Sequence, residues 1–173
     1  MIRAAVIIAD GSEEVEALTP VDVLRRAGAE CVLFSVSGEY ICGSHGIVVK
    51  ADKLVEALRM EEFDAIVIPG GMPGAKNIAA NRTVKSAIAK AIEEGKIVAS
   101  ICASPAVVLA ENGLLHAEKA TCYPAPGFIA AIGSRYVEEE VVLSGNFITA
   151  NGPRAAMKFA CEICDKLGIT PRF

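Results

Sequence analysis

The sequence predicts an α/β fold of three layers, an αβα sandwich with a mostly parallel sheet between two layers of helices. Three observations carry this. The runs Ala4–Ala9 and Ala65–Ile68 are continuously apolar and Ile97–Ile101 is interrupted only by Ser100, which suits strands covered on both faces. Helical segments stand between the strands, and the order strand, helix, strand, excursion, strand, helix, strand, helix calls for parallel pairing through crossovers. With 173 residues, 53% of them apolar, the chain is long enough for one sizeable core, and one domain over residues 1–173 is expected.

Each element has a local reason. Asp10-Gly11-Ser12 ends the first strand, and a helix follows from about Glu13 to Ala27. Its apolar stripe is Ala17, Leu18, Val21 and Leu24. Acids crowd its first turn, Arg25-Arg26 its last, as the macrodipole favours, and Gly28 stops it. A strand over Cys31–Val36 comes next, then a small hairpin over Gly38–Val49 and a short helix over Leu54–Leu58. The strand Ala65–Ile68 ends in Pro69-Gly70-Gly71-Met72-Pro73-Gly74, and Asn77–Ala91 reads as mostly helical. Ile97–Ile101 is a strand, and Ser104–Glu111 begins a helix stopped by Gly113. Lys119–Tyr123 reads as a strand, Pro124–Gly127 as irregular and Phe128–Ile132 as a helical turn. Val137–Leu143 and Phe147–Thr149 flank Gly145-Asn146 as a hairpin, and Pro153–Leu167 is the last helix.

Composition narrows the function. The formal net charge is −4 with no basic stripe, so no nucleic-acid partner is expected. Gly, Pro or a charge interrupts every apolar run well before 18 residues, so no membrane span is expected. The first residues read as a strand and not as a targeting segment. The six cysteines are irregularly spaced, which argues against a disulfide scaffold; the expected location is the reducing cytoplasm.

Ligands of open α/β sheets bind beyond the carboxyl ends of the strands. Asp10–Glu16, Pro69–Gly74 and Cys102–Pro105 all fall there. Cys102 stands where a strand runs straight into a helix, the outline of a nucleophile elbow without its Gly-x-Ser-x-Gly signature. The helix N-terminus is expected to lower its pKa. Among Glu13, Glu14 and Glu16, two suit a solvent-facing first turn and one an inward position beside Cys102, where burial would raise its pKa. Spacing does not say which. The glycines of Pro69-Gly70-Gly71 expose backbone N–H groups suited to an oxyanion.

His45 and His116 both read as surface residues, because nothing in the spacing brings either to Cys102. Cys161 and Cys164 have C-x-x-C spacing, but late in a helix and without further ligands they read as packing, and no metal is expected. Tyr123 closes the strand before Pro124 and has a hydroxyl to donate, but it cannot replace an imidazole base.

These residues carry a likeness. Asp-Gly-Ser-Glu-Glu-Val-Glu at 10–16, Thr-Pro-Val-Asp-Val-Leu-Arg-Arg-Ala-Gly at 19–28, Val-Ile-Pro-Gly-Gly at 67–71, Ile-Cys-Ala-Ser-Pro at 101–105 and Asn-Gly-Pro at 151–153 resemble the DJ-1/PfpI (ThiJ/PfpI) family. The resemblance implies a flavodoxin-like, class I glutamine-amidotransferase-like fold and a homodimer. It implies Cys102 as the reactive cysteine, a protonated Glu16 beside it, an oxyanion site at the Gly71 and Ala103 N–H groups, and no organic cofactor; Gly70, Ser104, Tyr123 and His45 are candidate pocket residues, with the reach of His45 and Tyr123 left open. The implied function is a cysteine-dependent enzyme on small reactive carbonyls, of glyoxalase or deglycase type, with a stress-responsive thiol sensor or chaperone-like protein as the alternative.

Two departures matter. Ser104 replaces a glycine common in the family elbow, and its hydroxyl is expected to cap the helix or crowd the pocket. Tyr123 stands where the DJ-1-like branch has histidine, which disfavours peptidase chemistry.

Overall fold

The computed structural model describes residues 1–173. Its main sheet has seven strands in the order β5-β2-β1-β6-β7-β9-β8. These are β1 (Arg3–Ile8), β2 (Glu30–Ser35), β5 (Lys53–Leu54), β6 (Ala65–Ile68), β7 (Ile97–Ile101), β8 (Val141–Ser144) and β9 (Phe147–Ala150). All pair in parallel except the edge strand β8, which turns back on β9 through Gly145-Asn146. A separate ribbon pairs β3 (Tyr40–Cys42) with β4 (Val48–Lys50).

The predicted sandwich is the observed one. Alternate strand residues face opposite helix layers: Val6, Ile8, Val67 and Ile101 pack on α1 (Glu14–Arg26) and α5 (Ala156–Leu167). Ile7, Ile66, Ile68 and Val98 pack on the other side, against α2 (Gly74–Ala80), α3 (Arg82–Glu93), the π-helical segment Pro105–Leu109 and α4 (Pro126–Ile132). The two half-cores hold 26 and 29 buried residues, so neither face of the sheet is left wet, which is why its strands read as unbroken apolar runs. No helix is long and apolar enough to cross a membrane.

Several local expectations are corrected. Asn77–Ala91 is two helices, broken at Asn81. That residue is extended, and its side chain accepts a bond of 3.0 Å from the Val84 N–H, capping α3. Leu54–Leu58 is no helix: Lys53–Leu54 joins the sheet beside Phe34–Ser35, and only a 3-10 turn follows at Val55–Ala57. Lys119–Tyr123 forms one bridge, Ala120 to Tyr136, because the Thr121 N–H is taken by the Thr149 hydroxyl at 2.9 Å. The last hairpin starts at Val141 and not at Val137, and α4 starts at Pro126, where proline suits a first helical position.

The chain runs to one side of β1 to make β2, then returns to make β6 on the other side. A crevice opens at such a switch point, beyond the strands' carboxyl ends. The loops after β1, β6 and β7 meet there.

Candidate active site

Cys102 follows β7 and is the only residue other than glycine with a positive φ, at 65°. The elbow is pinned on both sides: the Cys102 N–H donates to the Ala150 carbonyl at 2.9 Å, and the Cys102 carbonyl accepts from the Tyr123 N–H at 2.8 Å. Backbone held in the left-handed region costs about 1 kcal/mol or more for a residue with a Cβ, and surrounding contacts must hold it there.

The loop after β6 lies against this elbow. A Cβ on Gly70 would stand 2.6 Å from the Cys102 Cβ and 2.9 Å from Glu16 Oε1, and one on Gly71, where φ is 84°, would strike the Glu13 N–H. The Gly70 carbonyl accepts from that N–H at 3.0 Å, so the β6 loop and the start of α1 are joined. We expect Gly70→Ala to lower stability by about 3 kcal/mol, as overpacking against fixed backbone does, and to displace Cys102 from Glu16. Urea unfolding measures the first. An unchanged midpoint would mean the contact is looser than its geometry.

The three glutamates at the top of α1 have three different surroundings. The expectation that two face solvent is wrong, since all three are buried. Glu13 folds back as the helix cap and accepts from the N–H groups of Val15 (3.2 Å) and Glu16 (2.8 Å). Glu14 holds the β3–β4 ribbon, accepting from the N–H groups of His45 (2.8 Å) and Ile47 (3.3 Å). Burial alone would raise its pKa, but the His45 ring and these N–H groups outweigh that and hold it below the usual carboxylate value.

Glu16 is wholly buried and faces Cys102. Neither of its oxygens has a partner at full hydrogen-bond geometry, although the Cys102 thiol and the Gly70 backbone lie near enough to stabilise its anion weakly. Burial, with the neighbouring Glu13 charge adding to it, pushes the carboxyl up to about 8, so it keeps its proton at neutral pH.

The expected lowering of the Cys102 thiol does not occur. Burial, reinforced by Glu16, pushes it up to about 12, and the Gly71 and Ala103 N–H groups pull the other way without winning. The dipole of one short helical segment is the smaller effect in a site this enclosed.

Ser104 neither caps the helix nor enters the pocket. It is fully buried, and its hydroxyl donates to the Pro69 carbonyl, tying the β6 and β7 loops together. Tyr123 is half-exposed, with its ring 3.6 Å from where a Gly152 Cβ would stand. His45 is exposed as expected, and its ring partners are Glu14 (3.0 Å), Ser44 (3.2 Å) and Glu13 (3.6 Å). His116 bonds the Gly113 carbonyl and sits beside Asn146 and Phe147, at the opposite edge of the sheet. The structure thus brings Cys102, Glu16, Gly70, Gly71 and Ala103 together, with Tyr123 alongside.

Glu13, Glu14 and His45 also place three metal-ligand atoms within 4.8 Å of one another. Both carboxylates already accept backbone N–H bonds, and His45 already bonds Glu14, so the cluster acts as a structural tie. The spacing of the acids carried no signal for this role of Glu14. Of the C-x-x-C pair, Cys164 is fully buried and Cys161 partly so, as packing residues are.

Fold and site define a class of protein: αβα sandwiches with a strained elbow cysteine facing a buried carboxyl. The DJ-1/PfpI family model matches residues 2–166, and the chain belongs to that family. It is 37% identical to Arabidopsis thaliana protein DJ-1 homolog B over 160 residues, 92% of this chain but 36% of that one, so it spans about a third of that relative's length. It is 31% identical to a glutathione-independent glyoxalase of Caenorhabditis elegans, covering 91% of this chain and 84% of the relative. It is 33% identical to a deglycase of Pyrococcus horikoshii, covering 88% and 91%. Among solved structures, Toxoplasma gondii DJ-1 in an oxidized form superimposes with a TM-score of 0.92 at 41% identity, covering 96% of this chain and 91% of that one.

Proposed function

We propose that the protein is a Cys102-dependent enzyme on small reactive carbonyls, of glyoxalase or deglycase type. The observation that carries this is the buried Glu16 carboxyl, without a full hydrogen-bond partner, facing the elbow cysteine. The glyoxalase and deglycase relatives support the substrate class.

The chemistry follows from the proton count. At rest both groups are protonated, and the pair loses its first proton near 8. Glu16 gives it up, and the resulting carboxylate takes the thiol proton as the sulfur attacks, which makes this the reactive state. With methylglyoxal, the sulfur adds to the aldehyde carbon; the carbonyl π pair moves to oxygen, beside the Gly71 and Ala103 N–H groups, and the thiol proton that Glu16 has taken follows it. Glu16, now a carboxylate, takes the hydrogen from that carbon and returns it to the neighbouring carbonyl carbon, while the hydroxyl proton passes from the first oxygen to the neighbouring one, giving a thioester of lactate. Water cleaves the thioester, releasing lactate and the thiol.

A thiol sensor is the alternative reading, and it predicts an oxygen adduct on Cys102 in preference to the other five cysteines after sub-stoichiometric peroxide. Incubation with methylglyoxal should yield lactate at a rate that rises with pH and levels off above about 8. Lactate no faster than the buffer blank, at any pH from 6 to 9, would refute the reading.

A further inference from the structure

Resting on that reading, we infer that the Cys102 site takes carbonyl compounds that carry a carboxylate, and that Arg154 selects them. A cleft of about 370 Å³ opens beside the elbow, lined by Tyr123, Pro124, Asn151, Gly152, Pro153 and Arg154. Both segments of its wall hang on the backbone of Cys102. Tyr123 donates to the Cys102 carbonyl, and Cys102 donates to Ala150, the residue before Asn151. The wall of the cleft therefore adjoins the Cys102 backbone on both sides, and in the inferred complex a molecule that reacts at the sulfur lies against it.

The charge in the cleft has one sign. Arg154 is the only charged side chain in the wall, is exposed, and takes part in none of the ten ion pairs of the chain. Glu140, whose carbonyl accepts from the Asn151 N–H, gives its carboxylate to Lys158 at 3.5 Å. The guanidinium is left free for a ligand, and its fork of donors suits a carboxylate.

The sheet order sets the direction. Glu13, Glu14 and Glu16 approach from the β1 side, across β6, whereas Asn151–Arg154 follow β9 on the far side of β7. A carboxylate laid toward β9 points away from the acids. The carbonyl carbon then lies over the sulfur and its oxygen toward Gly71 and Ala103. Addition forms the S–C bond, breaks the carbonyl π bond and moves the thiol proton to that oxygen, with no other reactant.

Alkylation tests this without any turnover. Iodoacetate and iodoacetamide have similar size and differ in charge, and the exposed Cys42 serves as an internal reference in the same tube. By peptide mass spectrometry, the iodoacetate-to-iodoacetamide rate ratio at Cys102 should exceed that at Cys42 by about fivefold in low salt, and the excess should shrink in 0.5 M salt (roughly a 4 Å screening length). Arg154→Gln should remove the excess and Arg154→Lys keep part of it. Glyoxylate should protect Cys102 from iodoacetamide at lower concentration than neutral glyoxal, and only with Arg154 present. A ratio unaltered in Arg154→Gln, or no higher than at Cys42, overturns the inference. If methylglyoxal yields no lactate while the ratio behaves as expected, the proposed activity falls and the anion selectivity stands.

Discussion

Glu16→Gln should make the protein more stable near neutral pH while it abolishes lactate formation. The folded chain holds this carboxyl at about 8 against an ordinary value of 4.5. A group whose folded pKa is raised contributes its full stability below the unfolded value and loses it as pH rises through the folded one. Stability is therefore drained between about pH 4.5 and 8, and is level above that, where Glu16 is ionised in both states. The full difference is about 5 kcal/mol.

Glutamine keeps the shape and cannot ionise. Its amide still needs partners in a place where the carboxyl had none at full geometry, so we expect a net gain of about 2–3 kcal/mol at pH 8 and none below pH 4. That corresponds to a rise in Tm of about 5–10 °C at the higher pH. Glu14, whose pKa shifts the other way, is common to both proteins and cancels in the comparison. Thermal melts of the two proteins from pH 4 to pH 9 measure the effect. Parallel curves would mean that Glu16 ionises normally, and the proton inventory proposed for the site would fail with it.

Cys102→Ala should cut lactate formation at least about a thousandfold, because the covalent route has no other nucleophile. Cys102→Ser should fare little better, since a hydroxyl in so enclosed a place is harder to ionise than the thiol. Folding should survive, because the backbone bonds to Ala150 and Tyr123 that pin the elbow do not involve the sulfur. A melt within a few degrees of wild type, about 1 kcal/mol for a chain of this size, checks that. Cys102→Ala retaining a tenth or more of the wild-type rate would point to general-base catalysis by Glu16 without a thiol intermediate. Cys31, Cys122 and Cys164 are buried and raised by burial as Cys102 is, so substituting them controls for the loss of a buried thiol.

The layered fold was legible because a doubly covered parallel sheet writes itself as unbroken apolar runs with helical segments between them. The site's address was legible for the same reason: parallel strands bring their carboxyl ends together, so the segments after β1, β6 and β7 had to meet. Harder to read were elements whose limits depend on a partner. Asn81 ends one helix and caps the next, and nothing in its neighbours' periodicity marks the break. Lys53–Leu54 is a strand only because β2 offers an edge.

The sequence by itself determined the sandwich, the converging loops and a cysteine at the elbow between strand and helix. Tertiary structure decided which glutamate meets that cysteine. Three acids within four residues point in different directions around a helix, but periodicity fixes only their angles relative to one another. The Gly70 loop, the ribbon at His45 and the helix's own N–H groups set the absolute rotation, giving Glu16 the pocket, Glu14 the ribbon and Glu13 the cap. Tertiary structure also reversed the direction of the thiol's pKa. The helix terminus that favours a thiolate is local and visible in sequence, whereas the burial that opposes it is supplied by residues distant in the chain, and in a low-dielectric site burial is the larger effect.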